Sequence, residues 1–131
     1  MNRLLLSWSI SQKGGTKKPD CWEDIVNLLA KVHLFSGCVT VDRLDCEGNL
    51  ISEIQVRMEK GFYLVTFLNE EDEVMSITDL TQPDEKVLIF GDYWPAIQLT
   101  KNYGLVVRVF REFFDTGNVS KELRSEERRV G

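Results

Sequence analysis

The sequence predicts an α+β fold, an antiparallel meander sheet of about five or six strands with two amphipathic helices packed on one face. Apolar residues recur with the period of a helix in two segments, one in each half of the chain. At the N-terminus and between these segments, apolar and polar residues alternate with the period of a half-buried strand. The connections are short, and strands joined by short turns pair antiparallel.

The composition is that of one globular domain. The chain has 131 residues, of which 43% are hydrophobic and 28% are charged. Its formal net charge is −5 at pH 7, which disfavours direct binding of nucleic acid because phosphate contacts need clustered Lys and Arg. The same charge favours a basic protein partner. No segment reaches the roughly 20 apolar residues that span a bilayer, so we expect no membrane association.

The first segment predicts a strand from Leu4 to Ile10. Its serines alternate with apolar residues, and the run is too short and too polar for the apolar core of a signal peptide. We therefore expect a cytoplasmic protein. Its cysteines, whose spacing fits no metal site, should be reduced thiols: Cys21, Cys38 and Cys46.

A solvated loop is expected over residues 11–20, and a helix follows it. Asp20 predicts the N-cap, Glu23 completes a capping box, and Gly37 should end the helix after Phe35. The side chains expected to face the core are Trp22, Ile25, Val26, Leu29 and Val32.

The middle of the chain predicts consecutive strands separated by turns. The first two form a hairpin around Gly48 and Asn49. In order, the expected strands are Cys38 to Asp45, Leu50 to Glu59, Gly61 to Asn69, Val74 to Leu80, and the segment KVLIFG that ends at Gly91.

The segment DYWPAIQLTKN predicts the corner between the last strand and the second helix. Trp94 precedes Pro95 and should therefore be extended. Thr100 or Asn102 should cap the helix, and Gly117 should provide the left-handed residue that ends it. The expected buried stripe of this helix is Val106, Val109, Phe110 and Phe113.

We expect a single α+β domain over residues 1–123 and a tail over residues 124–131. The tail, RSEERRVG, has no apolar periodicity, and a common sequencing-adapter sequence read in frame would encode it. The hypothesis is that the tail is a non-native assembly artefact.

No motif in the chain assembles an active site. The patterns HExxH, CxxC, GxSxG and GxGxxG are absent, and the one histidine, His33, has no fixed spacing to a nucleophile or carboxylate. Cys21 lies in a first helical turn, where a lowered pKa is open to it, but a small half-buried side chain is the favoured interpretation. We expect no catalytic residues, no cofactor and no metal ion.

Acidic side chains are the most prominent polar feature. Glu70, Glu71, Asp72 and Glu73 are consecutive, and further carboxylates lie at strand ends. Two interpretations stand: a solvated turn, or an acidic patch that docks on a basic partner. The aromatic pair that follows Asp92 also has two interpretations, core packing or interface anchoring.

The segment GDYWPAIQLTKNYGLVVRVFREFFDTGNVS resembles the C-terminal half of the first, large family of immunity proteins from bacterial polymorphic-toxin and contact-dependent growth inhibition systems. In that family a glycine- and proline-containing corner leads into a terminal helix. The preceding GFYLVTF resembles the family's central strand, and the resemblance covers roughly Val39 to Ser120, without the family's closing Trp segment. The matching positions are Gly91, Pro95, Phe113, Phe114, Thr116 and Gly117.

The resemblance implies a cytoplasmic antitoxin that binds a cognate toxin domain, often a nuclease, and blocks its active site or its access to substrate. Basic nuclease toxins grip phosphate, so an acidic inhibitor suits them. Alternatives are a non-enzymatic regulatory or scaffold module that binds another protein, and an enzyme that uses carboxylates or Cys21. The expected partner-binding residues are Asp42, Asp45, Glu70, Glu71, Asp72, Glu73 and Asp92 for charge, and Tyr93 or Trp94 as the anchor.

Overall fold

The computed structural model describes residues 3–77, 81–89 and 91–119. The elements follow one another along the chain in the order β1, β2, α1, β3 to β8, α2, with a 3₁₀ turn before α2. Their bounds are β1 Arg3–Ile10, β2 Lys13–Lys17, α1 Trp22–Phe35, β3 Gly37–Leu44, β4 Leu50–Glu59, β5 Phe62–Leu68, β6 Val74–Ser76, β7 Lys86–Ile89, β8 Asp92–Pro95, the 3₁₀ turn Ala96–Gln98, and α2 Tyr103–Thr116.

The strands form a six-stranded antiparallel sheet in the order β2-β1-β3-β4-β5-β6, and β7 and β8 form a separate hairpin. The predicted α+β class with an antiparallel sheet and two helices is confirmed. KVLIFG does not extend this sheet, because the chain reverses at Gly91, where φ is 77°, and pairs β7 with β8 instead.

The two faces of the sheet differ because side chains alternate along each strand. One face, here the helix face, packs under both helices and forms the main core. The opposite face, here the open face, includes the cross-strand row Leu5, Asp42, Glu53, Leu68 and Val74. The helix side chains buried in the main core are Ile25, Leu28, Leu29 and Val32 of α1, and Val106, Val109, Phe110 and Phe113 of α2.

Strand β2 occupies residues 13–17 of the segment 11–20, over which a loop was expected. Ser11 and Gln12 both have positive φ, 53° and 66°, and so make a tight turn that folds β2 back on β1. Gly15 lies opposite Trp8, where a Cβ would come within 2.5 Å of the indole ring. The prediction of a loop was wrong because glycine and lysine usually disfavour strands, whereas here glycine makes room for a ring.

The ends of α1 also differ from the predicted ones. Cys21 is the N-cap residue and makes no side-chain capping bond, while the Asp24 carboxylate accepts from the Asp20 N–H at 2.7 Å. Asp20 therefore does not cap the helix. The helix ends at Phe35 as expected, but Ser36 is the C-cap residue and Gly37 opens β3.

The second helix follows the prediction closely. Asn102 is the N-cap and accepts from the Leu105 N–H, and Gly117 is left-handed with φ 77°. Of the strand expected over Val74 to Leu80, residues 74–76 are β6, and residues 78–80 lie outside the described residues, as does the tail over 124–131.

Candidate functional site

One end of the sheet gathers most of the acidic residues singled out above. β3 leads into the turn at residues 45–49, and β5 leads into the turn at residues 69–73. Because β3, β4, β5 and β6 are successive antiparallel neighbours, both turns lie at the same end. We call this region the acidic end, and define it by Asp42, Asp45, Glu47, Glu53, Glu70, Glu71, Asp72 and Glu73.

Asp45 organises the first turn of the acidic end. Its Oδ1 accepts from the N–H groups of Glu47 at 2.8 Å and Asn49 at 2.9 Å, and its Oδ2 accepts from the Asn49 side chain. These bonds, that from the Asn49 N–H most of all, lower the pKa of Asp45 below its ordinary value. Asp45 therefore holds the turn in shape, in addition to contributing charge.

Asn69 performs the same role in the second turn. Its Oδ1 accepts from the N–H groups of Glu71 and Glu73, each at 2.9 Å, and its Nδ2 donates to the Glu73 carboxylate at 2.8 Å. Asn69 itself is buried. Glu70, Glu71 and Asp72 are exposed on a turn whose backbone is held by side-chain bonds.

Asp42 and Glu53 are cross-strand partners on the open face near the acidic end. A hydrogen bond with Asp42, together with burial and the repulsion between the two charges, raises the pKa of Glu53 to about 7. The Asp42 Oδ1 atom is buried and has no hydrogen-bond partner among the described residues. Sequence reasoning selected Asp42 but missed Glu53, because only the register of the two strands shows that these carboxyl groups meet.

Asp92 and Tyr93 lie away from the acidic end. They belong to the β7–β8 hairpin, where Leu88 pairs with Tyr93 and accepts a bond from Lys60 at the opposite end of the sheet. Tyr93 is 65% exposed, and the Asp92 carboxylate accepts from the Tyr93 N–H at 2.8 Å. The structure therefore separates these two residues from the acidic turns with which they were grouped.

Trp94 packs the hairpin against the open face. Its ring joins a second apolar cluster built on Leu64, Ile89 and Leu99. Beside it lies a groove of about 270 Å³. The Trp94 Nε1 atom is buried and, within the part of the chain that the structure describes, has no hydrogen-bond partner. The groove is lined by Leu64, Thr66, Val74, Met75, Ser76, Trp94 and Gln98.

A second polar cluster, which the sequence did not predict, involves His33. Its Nδ1 is hydrogen-bonded to the Tyr63 hydroxyl, and its ring centroid is 4.4 Å from that of Tyr103. Burial raises the pKa of Tyr63 to about 12. The cluster ties α1 to β5 and α2, which gives His33 a structural role.

The remaining candidates for chemistry are thiols and metal ligands. Cys21 and Cys46 are exposed and Cys38 is half-buried, with burial raising the pKa of the Cys38 thiol. Within residues 3–77, 81–89 and 91–119, no His, Cys, Asp or Glu side chains converge in a group of three that could hold a metal ion.

Together, these features define a small antiparallel α+β protein with an acidic end. The chain belongs to a family of unknown function, DUF6911, whose model matches residues 6–123. Its structure is similar to the crystal structure of a hypothetical protein from Neisseria gonorrhoeae, with a TM-score of 0.68. The two sequences are 16% identical over 92% of each chain, so this likeness shows the fold alone. No curated protein matches the chain.

The length and apolar character of the helices bear on membrane crossing. Neither helix in the described part of the chain has the length and apolar character that crossing a membrane would require.

Proposed function

We propose that this protein is a cytoplasmic immunity protein. It binds a cognate bacterial toxin domain, a basic nuclease in the simplest case, and blocks its active site or its access to substrate without acting as an enzyme. The single observation that carries the proposal is the acidic end, where the turns at residues 45–49 and 69–73 lie at the same end of the sheet as the Asp42 and Glu53 pair.

Charge clustered in this way favours a basic partner for two physical reasons. A concentrated negative potential steers an oppositely charged protein and raises its association rate. The turns are also held by Asp45 and Asn69, so that less conformational freedom is lost when a partner binds.

The sequence resemblance supports the same function. Two of its positions are an extended corner at Pro95 and a left-handed helix end at Gly117, and both conformations occur in the structure. The alternative regulatory or scaffold module would share this fold, and only the identity of the partner separates the two functions.

The proposal predicts a toxin domain encoded immediately upstream, and co-expression with that domain is its test. We expect restored growth and a complex that co-purifies. A toxin that still kills the cells and leaves no complex with the folded protein would contradict it.

Two single charge reversals then test the role of the acidic end. Glu71→Lys should lower the association rate with the toxin domain about threefold and weaken its dependence on salt. Asp92→Lys changes the charge equally on the separate hairpin and should have a smaller effect. Equal effects of the two reversals would remove the acidic end from the docking surface.

A further inference from the structure

Two buried side-chain atoms in the described part of the chain have no hydrogen-bond partner: Asp42 Oδ1, an acceptor, and Trp94 Nε1, a donor. Unpaired buried polar atoms are rare in native proteins and destabilise the fold. A bound partner could therefore supply a hydrogen-bond donor to Asp42 Oδ1 and an acceptor to Trp94 Nε1.

Both atoms lie on the open face. Asp42 is in the open-face row with Glu53, while its neighbours Val41 and Arg43 are on the alternate side of β3. Trp94 packs against Leu64, which lies between residues of β5 that enter the main core. Strands β4 and β5 separate the two atoms.

The groove beside Trp94 runs along β5 to the outer strand β6. Its lining includes Leu64 and Thr66 of β5, and Val74, which is 64% exposed, at its edge. Val74 directly follows Glu73 of the acidic end, and it belongs to the same cross-strand row as Glu53. Leu68 lies between Val74 and Glu53 in that row, so one apolar side chain separates the edge of the groove from the carboxyl pair.

We propose that the open face is the docking surface for a partner segment in which a Lys or Arg adjoins a large apolar residue. The cation pairs with Asp42 and Glu53, the apolar side chain fills the groove, and a backbone carbonyl accepts from Trp94 Nε1. This inference rests on the proposed function, because the toxin domain is the partner that supplies the segment.

The chemistry of each contact follows from the groups present. Two adjacent carboxyl groups suit a cation, and a guanidinium can bond to both. Apolar anchors in pockets that exclude water provide much of the affinity of protein interfaces. Since Trp94 Nε1 is buried, the segment reaches it by displacing a lining side chain such as the half-buried Gln98.

The indole N–H signals of the three tryptophans provide a direct test. The probe is the dipeptide N-acetyl-arginyl-leucine amide, with N-acetyl-glutamyl-leucine amide as its matched control. We expect the arginyl peptide to shift the Trp94 signal, assigned with the Trp94→Phe variant, in a saturable way. The glutamyl peptide should leave it unchanged, and Asp42→Asn should weaken the arginyl peptide about threefold.

The same variants are then measured with the toxin domain. Trp94→Phe keeps an aromatic ring and removes the donor, so we expect about tenfold weaker binding, with unchanged binding for the control Trp22→Phe. An unmoved Trp94 signal together with normal toxin binding by Trp94→Phe would overturn the docking surface. Growth rescue in the same experiments would still support the proposed function. A peptide response without any toxin rescue would support the surface and count against the toxin as partner.

Discussion

Asp42 and Glu53 face each other across β3 and β4, and this pairing raises the pKa of Glu53 to about 7 from an ordinary value of 4.5. The folded protein therefore holds a proton on Glu53 over a pH range in which the unfolded chain has lost it. Stability due to this group is fully present below pH 4.5 and declines as the pH rises toward about 7.

Glu53→Gln should remove this pH dependence, because an amide does not titrate. The unfolding free energy of the variant minus that of the natural protein should increase by about 1 kcal/mol as the pH is raised from 4.5 to 8, after allowance for solvent screening. Denaturant unfolding at a series of pH values measures it. Glu70→Gln makes the same charge change on an exposed turn, and a matching gain there would show that pairing with Asp42 is not the cause.

Binding of a cationic partner should depend on pH through the same group. A Lys or Arg beside Glu53 favours its ionised form, so that binding near neutral pH releases a proton. Affinity should therefore rise with pH up to about 7 and then level.

Titration calorimetry of the toxin complex in buffers of different ionisation enthalpy would detect the proton released. Asp42, opposite on β3, is the charged group that acts on Glu53, while its β5 partner is Leu68 and Arg57 lies four residues further along β4. Glu53→Gln should abolish the release, and an unchanged release in that variant would assign it to another group.

A side chain at Gly15 should destabilise the fold, because a Cβ would come within 2.5 Å of the Trp8 ring. Gly15→Ala should lower the unfolding free energy by about 2 kcal/mol. Gly104→Ala is the control, since its Cβ would meet only the Asn102 side chain in the first turn of α2. Thermal unfolding compares the two, and equal stability of both variants would show that β2 can move away from Trp8.

Asn102 should contribute measurably to α2, because its side chain accepts from the Leu105 N–H at 3.1 Å. Asn102→Ala should lower the unfolding free energy by about 1 kcal/mol. Arg108→Ala, on the exposed side of the same helix, should change it by less than about 0.5 kcal/mol. A negligible effect at Asn102 would mean that tertiary packing alone holds the start of α2.

The features that the sequence predicted well depend on nearby residues. The buried stripe of α2, its cap at Asn102 and its left-handed end at Gly117 all follow from spacing within a few turns. The hairpin of β3 and β4 likewise follows from alternation around one turn.

The features that the sequence missed depend on distant residues. Gly15 permits a strand only because Trp8 lies opposite, and Glu53 matters only because the register places it beside Asp42. Acidic residues look alike in a sequence, yet Glu71 and Asp92 lie in different regions once β7 pairs with β8. Strand pairing and register decide these outcomes, and the periodicity of the sequence does not show which strands pair or in which register.

Strand β2 has a protective consequence beyond its fit to Trp8. It is short and contains two glycines and exposed lysines at an outer position of the sheet, and such edges resist pairing with other chains. Next to it in the sheet, β1 contributes Leu6 and Ile10 to the core. A variant lacking residues 11–18 would leave β1 as the outer strand, with backbone N–H and C=O groups free to pair with another chain, and the protein would be prone to aggregation.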